Sequence, residues 1–205
     1  MLVPHRIPEA GIMNRKIILV SLVLVLGILS AVVYASSVNL IVWMSSPAST
    51  TPVPEGLLIV DGLVQHSLNL TLEDLVAMPR TTVNAALYCV DSSNSPLVEG
   101  NWTGVRLGSI LEEAKVTPNA TKVALYAEDG FSTDLTVEAA NRKDIIIAYE
   151  RNGQKLPEKL RLVVPGEWGY KWISNLNHIE LVEYDFKGFW EGRGYPDNAE
   201  IPTKP

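Results

Sequence analysis

Cysteine is almost missing from this chain of 205 residues: Cys89 is the single one. No disulfide within the chain and no paired-cysteine metal knuckle can form. The three histidines, His5, His66 and His178, lie far apart, and neither an HExxH pattern nor a P-loop glycine motif occurs. Zinc hydrolases and P-loop enzymes are excluded on that count. Basic charge is also scarce. The formal net charge is -6; three of the 17 basic residues (Arg6, Arg15, Lys16) and one of the 23 acidic residues (Glu9) precede residue 45, leaving 14 basic against 22 acidic residues in the remainder. Phosphate backbones need a basic patch, so such a surface argues against nucleic acid as a partner. Charged residues make up 20% and hydrophobic ones 47% of the chain, enough for one domain with a real core.

What the sequence does have is a long apolar run. Ile17 to Met44 is 28 residues without a charge. As a helix it would be about 42 Å long at about 1.5 Å per residue, against a hydrocarbon core of about 30 Å. Arg15 and Lys16 precede it directly and the next basic residue is Arg80, so the positive-inside rule puts residues 1–16 in the cytoplasm and the large domain outside. The run reads as an uncleaved membrane anchor, which its length favours. Alternatively it is a secretory signal, with Met13-Asn14-Arg15-Lys16 as a basic start and Val33-Tyr34-Ala35 as a cleavage site, and the domain is then secreted. Residues 45–55, rich in Pro, Ser and Thr, read as an extended spacer.

Residues 56–185 read as an α+β domain. Leu57–Val60 and Leu63–His66 are short strands around an Asp61-Gly62 turn. Thr71 caps a helix running to about Ala77, ahead of Pro79. Thr82–Cys89 is a strand ending at the cysteine. Leu107, Ile110, Leu111 and Ala114 are spaced for a helix. Lys122–Glu128 and Phe131–Thr136 form a hairpin over Asp129-Gly130. Ile145–Tyr149 and Arg161–Val164 are apolar strands with Asn152-Gly153 as a turn between them, and Ile179–Tyr184 closes the sheet. Residues 186–205, rich in Gly, Pro and aromatics, form a tail that wraps the domain.

Several short segments come in a specific order: Leu87-Tyr88-Cys89-Val90; Trp102-Thr103-Gly104-Val105-Arg106-Leu107; Glu128-Asp129-Gly130-Phe131; Arg161-Leu162-Val163-Val164-Pro165; Gly169-Tyr170-Lys171-Trp172-Ile173; and Ile179-Glu180-Leu181. Together they resemble the molybdopterin-binding oxidoreductase domain of the sulfite oxidase family. The resemblance implies a molybdenum-molybdopterin cofactor and oxygen-atom transfer on a small-molecule substrate. It implies Cys89 as metal ligand and catalytic residue. A soft thiolate in a partly open site suits such a metal. It further implies that Arg161 meets the cofactor phosphate, that Tyr170, Lys171, Trp172, Ile173 and Ser174 form a cofactor-binding loop, and that Asp129 stands at the rim of the site. Two departures are visible. Ser174 stands where the family often has a second lysine, which weakens the hold on phosphate. The residues after Cys89, Val90-Asp91-Ser92-Ser93-Asn94, carry an acid where sulfite oxidases carry arginine, which argues against sulfite as substrate. No haem-like extension is visible, so electrons would come from a separate partner.

Blander readings stand beside these. Cys89 can be a small buried hydrophobe. Asp129-Gly130 is first of all a turn. Arg161 can pair with Glu158. Trp168, Trp172 and Trp190 can form an aromatic core cluster as well as line a pocket. His66 and His178 read as structural. The alternative function is a cofactor-free binding or assembly module on the same fold at the cell surface.

Overall fold

Two five-stranded sheets share one core. In the computed structural model, which describes residues 57–91 and 95–202, the strands are β1 (Leu58–Gly62), β2 (Leu68–Leu70), β3 (Arg80–Leu87), β4 (Val98–Arg106), β5 (Lys122–Ala127), β6 (Ser132–Thr136), β7 (Ile146–Arg151), β8 (Gln154–Lys155), β9 (Arg161–Val163) and β10 (Leu176–Val182). Helices α1 (Leu72–Ala77), α2 (Leu107–Ala114) and α3 (Val137–Ala140) are short, as the α+β reading requires. The first sheet runs β2-β1-β10-β5-β6; the second runs β3-β4-β7-β8, with β9 also paired to β7. Among the described residues only β1 and β10 pair in parallel.

Local sequence accounts for most of these elements. Thr71 and Asp74 form a reciprocal capping box at α1, Asp74 N donating to Thr71 Oγ1 at 3.2 Å and Thr71 N to Asp74 Oδ2 at 2.8 Å. These bonds satisfy donors that a helix start leaves open. Leu107, Ile110, Leu111 and Ala114 of α2 are at most 2% exposed, each such aliphatic burial contributing about 1.5–3 kcal/mol before entropy is set against it. One continuous buried cluster takes Leu58, Val60 and Ile179 from the first sheet, Val105, Ile147 and Leu162 from the second, and the apolar face of α2. Gly104 marks a bulge where β4 presses on β7: a Cβ there would lie 2.0 Å from the Ile147 carbonyl oxygen.

Four expectations need correction. Asp61-Gly62 is not a hairpin turn: β1 continues through Gly62, which takes φ +82° beside Leu181, and Leu63–His66 is no strand beyond an isolated bridge from Val64 to Val116. The antiparallel partner of β1 is Leu68–Leu70 instead. The strand expected to end at Cys89 stops at Leu87. Asn152-Gly153 turns β7 into the short β8 rather than into β9. Finally, β10 does not close the sheet but lies inside it, between β1 and β5.

The run Ile17–Met44, residues 1–16, expected in the cytoplasm, and the expected spacer 45–55 lie outside the described residues. Among the described residues no helix is long and apolar enough to cross a membrane. The tail residues 186–202 belong to the same compact unit as the sheets.

Candidate active site

Cys89 owes its position to the end of β3. Pairing with β4 runs from Arg80↔Val105 to Leu87↔Val98 and then stops. Leu97 N donates to the Leu87 carbonyl at 2.8 Å, so the loop that carries residues 88–91 leaves the sheet from a pinched base. Cys89 is half-buried on this loop, and it lines a cleft of about 300 Å³. Four other places supply the remaining wall: Leu87 at the strand end, Phe131 after the β5–β6 turn, Gly169 and Tyr170, and Trp190 and Tyr195 of the tail. Val90, Asp91 and Leu97 complete the lining. Gly169 N donates to the Tyr88 carbonyl at 2.8 Å. A Cβ on Gly169 would come within 2.9 Å of both that oxygen and the Leu87 side chain, so only glycine lets this loop close on the cysteine loop.

The cleft is aromatic. Tyr170 and Tyr195 meet edge to face at 5.5 Å between centroids, and Tyr195 and Trp190 lie 5.1 Å apart. The Tyr170 hydroxyl donates to the Pro196 carbonyl at 2.7 Å. Burial first, and then the nearby carboxylates Glu191 and Glu167, push its pKa up to about 12, so it stays neutral at ordinary pH. No lysine, arginine or histidine is among the described residues that line the cleft.

The residues expected to hold a cofactor phosphate are otherwise engaged. Arg161 Nε donates to Glu158 Oε1 at 2.6 Å and Nη1 to the Trp172 carbonyl at 3.2 Å. Its guanidinium also stands 6.0 Å from the Trp102 ring centroid. Lys171 is 0% exposed, and its ammonium donates to the Asp134 carbonyl at 2.9 Å, Asp134 Oδ1 at 3.1 Å and Glu191 Oε1 at 2.7 Å. Trp172 and Ile173 are core residues, Trp172 packing edge to face on Trp102 at 5.8 Å. Ser174 bridges back to Arg161. In the loop, the N–H groups of residues 169, 171, 172 and 173 all donate to backbone carbonyls. Asp129 is exposed and caps its own turn, accepting from Phe131 N at 3.0 Å. Of this set the fold brings only Tyr170 to the cysteine.

A buried ionic network fixes the tail that forms the far wall. Lys122 pairs with Asp134 and, at 3.0 Å, with Asp197; Lys187 also pairs with Asp197. Thr133 Oγ1 donates to Glu191 Oε1 at 2.7 Å, beside Lys171. Burial alone would lower the pKa of Lys122, but the hydrogen bonds to Asp134 and Asp197 outweigh it and hold the ammonium well above its ordinary range. A second cavity of about 500 Å³ lies over this network, between Lys122, Arg142, Glu167 and Asp197.

Molybdopterin can be tested against these side chains. The metal end fits, because a free thiol stands half-buried at the wall of a cleft. The phosphate end does not fit the residues expected for it, because the Lys171 ammonium is enclosed by carboxylates and Arg161 is bound to Glu158. Of the cleft residues, Phe131 and Tyr195 were not legible as site residues, and Trp190 was open between an aromatic core cluster and a pocket wall. The only signals were the aromatic density of the tail and the position of Phe131 directly after the Asp129-Gly130 turn.

Comparison with known proteins agrees with this architecture. The model of the oxidoreductase molybdopterin binding domain matches residues 51–190, reaching the tail as far as Trp190. The uncharacterized oxidoreductase YuiH of Bacillus subtilis is 35% identical over 140 residues, covering 66% of this chain and 70% of that protein. The mitochondrial sulfite oxidase of Drosophila melanogaster is 28% identical over 155 residues, covering 62% of this chain but only 27% of that protein. Among solved structures, the sulfane dehydrogenase SoxCD of Paracoccus pantotrophus matches with a TM-score of 0.58 and 25% identity, over 62% of this chain and 38% of that one. The ordered segments, the paired sheets and the matched span agree, and the chain belongs to the sulfite oxidase family of molybdopterin-binding oxidoreductase domains.

Proposed function

We propose that this domain is a molybdopterin-dependent oxidoreductase with Cys89 as the metal ligand. The observation that carries the reading is the half-buried Cys89 thiol at the wall of an apolar cleft. When bound, the cofactor supplies oxygen-atom transfer chemistry; the protein supplies position and environment. Cys89 holds the metal through its thiolate. Leu87, Phe131, Trp190 and Tyr195 give it apolar and aromatic walls. Tyr170 adds a neutral phenol whose proton is held on the Pro196 carbonyl. The test is molybdenum per chain in wild type and Cys89→Ser, expressed in a host that makes the cofactor. Near-stoichiometric metal that falls at least tenfold in the variant supports the reading. Folded protein without metal in either form sinks it.

A second reading is favoured by one specific observation: Lys171 and Arg161 spend their charges inside the protein. On that reading the domain is a cofactor-free binding or assembly module, and metal-free protein with full thermal stability is the result that supports it. We also propose that the run Ile17–Met44 anchors the chain, with the domain outside the membrane and a separate protein exchanging electrons with it. Retention in the membrane pellet after alkaline carbonate extraction supports the anchor. A soluble product whose N-terminus is Ser36 supports signal cleavage instead.

A further inference from the structure

We infer that the cleft beside Cys89 selects an organic ligand with an apolar body and no negative charge, prefers a cation, and turns away small oxyanions. The inference rests on reading this cleft as the reaction site and names the class of molecule that enters it. Its first support is the charge around the cavity. No basic side chain is among the described lining residues, while Asp91 stands exposed at its edge. The basic side chains on the flanking segments are already engaged by the protein itself. Lys171 is held by Asp134 and Glu191, and Arg161 by Glu158. Lys187 is held by Asp185 and Asp197. Arg193 lies 3.6 Å over the Phe189 ring and donates to the Phe189 carbonyl at 2.6 Å. An oxyanion entering here would lose water without gaining a cation, which is unfavourable.

The second support is the wall itself. Trp190, Tyr195, Tyr170 and Phe131 present aromatic surface. Trp190 is 38% and Leu97 63% exposed, so the mouth is open and apolar. Aromatic rings accept apolar groups by burial, and cations additionally through the ring quadrupole. Tyr170 adds no negative charge, since its phenol stays protonated and bound to Pro196. Ring attraction and Asp91 then both favour positive over negative charge.

The test uses three probes that share one benzyl body: benzyltrimethylammonium, benzyl alcohol and benzylsulfonate. Each is titrated into the full chain at low salt, with molybdenum measured in the same sample. The expected order of affinity is cation, then neutral, then anion, with about two- to fivefold between cation and neutral probe. Asp91→Asn should narrow the gap between cation and anion by about two- to fivefold. Tyr195→Leu should weaken the cation more than the alcohol, since it keeps an apolar wall and deletes the ring; Trp190→Ala should do the same. Benzylsulfonate or sulfite binding as tightly as benzyltrimethylammonium overturns the inference, as do affinity ratios among the three probes that stay unchanged in all three variants. The outcome is separable from the metal reading. Protein without molybdenum that keeps the order sinks the metal and leaves the inference, whereas loaded protein that prefers the anion does the reverse.

Discussion

Lys171 and Arg161 bear the same formal charge and were expected to face the same phosphate, but each is held by the protein's own carboxylates. For Lys171 the consequence is large. Lys171→Met leaves Glu191 buried without its cation and Asp134 with Lys122 alone, and breaking a buried pair in this way costs about 3–5 kcal/mol. The urea midpoint should fall accordingly. If the lysine instead served a cofactor phosphate, the variant would keep its midpoint and lose only molybdenum. Arg161→Ala should cost about 1–2 kcal/mol, since it removes a charge-assisted bond to Glu158 and the bond to the Trp172 carbonyl. Cys89 was legible because it is the lone thiol within an ordered set of segments. The employment of Lys171 was not, because its partners Asp134 and Glu191 lie far away in sequence and nothing local announces them.

At the scale of elements, the parts governed by local chemistry were readable. Thr71 as cap and Pro79 beyond the end announced α1, and the spacing of Leu107, Ile110, Leu111 and Ala114 announced α2. Thr71→Ala should therefore cost about 1 kcal/mol in thermal or urea unfolding. Gly104→Ala should cost more, about 1–3 kcal/mol, because its methyl would meet the Ile147 carbonyl where β4 bulges against β7. A Thr71 variant less stable than the Gly104 variant would contradict this account of the two elements. Asp61-Gly62 misled because its turn chemistry is real but serves another end. Gly62 adopts a positive φ, and β1 pairs in parallel with β10, Asp61 opposite Glu180. A parallel partner so distant in sequence leaves no local trace. For the same reason β10 read as an edge although it lies inside the sheet.

On the scale of the whole molecule, the tail and the sheets are joined through charge. Asp197 would be raised by burial, yet its hydrogen bonds from Lys187 and Lys122 lower its pKa below the ordinary carboxylate value. Its contribution is therefore present above an unfolded pKa of about 3.9 and lost as pH falls through the folded value. Lys122 is shifted upward, so its contribution is complete below about pH 10.4 and lost as pH rises further. Thermal midpoints should be flat between about pH 5 and about pH 9 and fall on both sides. Trp190 fluorescence should report the tail loosening at each end. Lys122→Met should remove much of the alkaline fall. A midpoint still rising above pH 10 would contradict the network as the tail's anchor.

The sequence by itself determined the lone thiol, the acidic balance, the capped and amphipathic helices, the hairpin over Asp129-Gly130 and the ordered segments that carry the family. These depend on composition, on spacing along the chain and on interactions within a few residues. Only the tertiary structure decided that β1 and β10 lie side by side, that Phe131, Trp190 and Tyr195 surround the cysteine, and that Lys171 turns into the protein rather than toward a ligand. Those outcomes depend on which distant surfaces and charges meet when the core closes. Burial then sets the meaning of each charge: a lysine with no water to turn to takes the nearest carboxylates, wherever the chain has brought them.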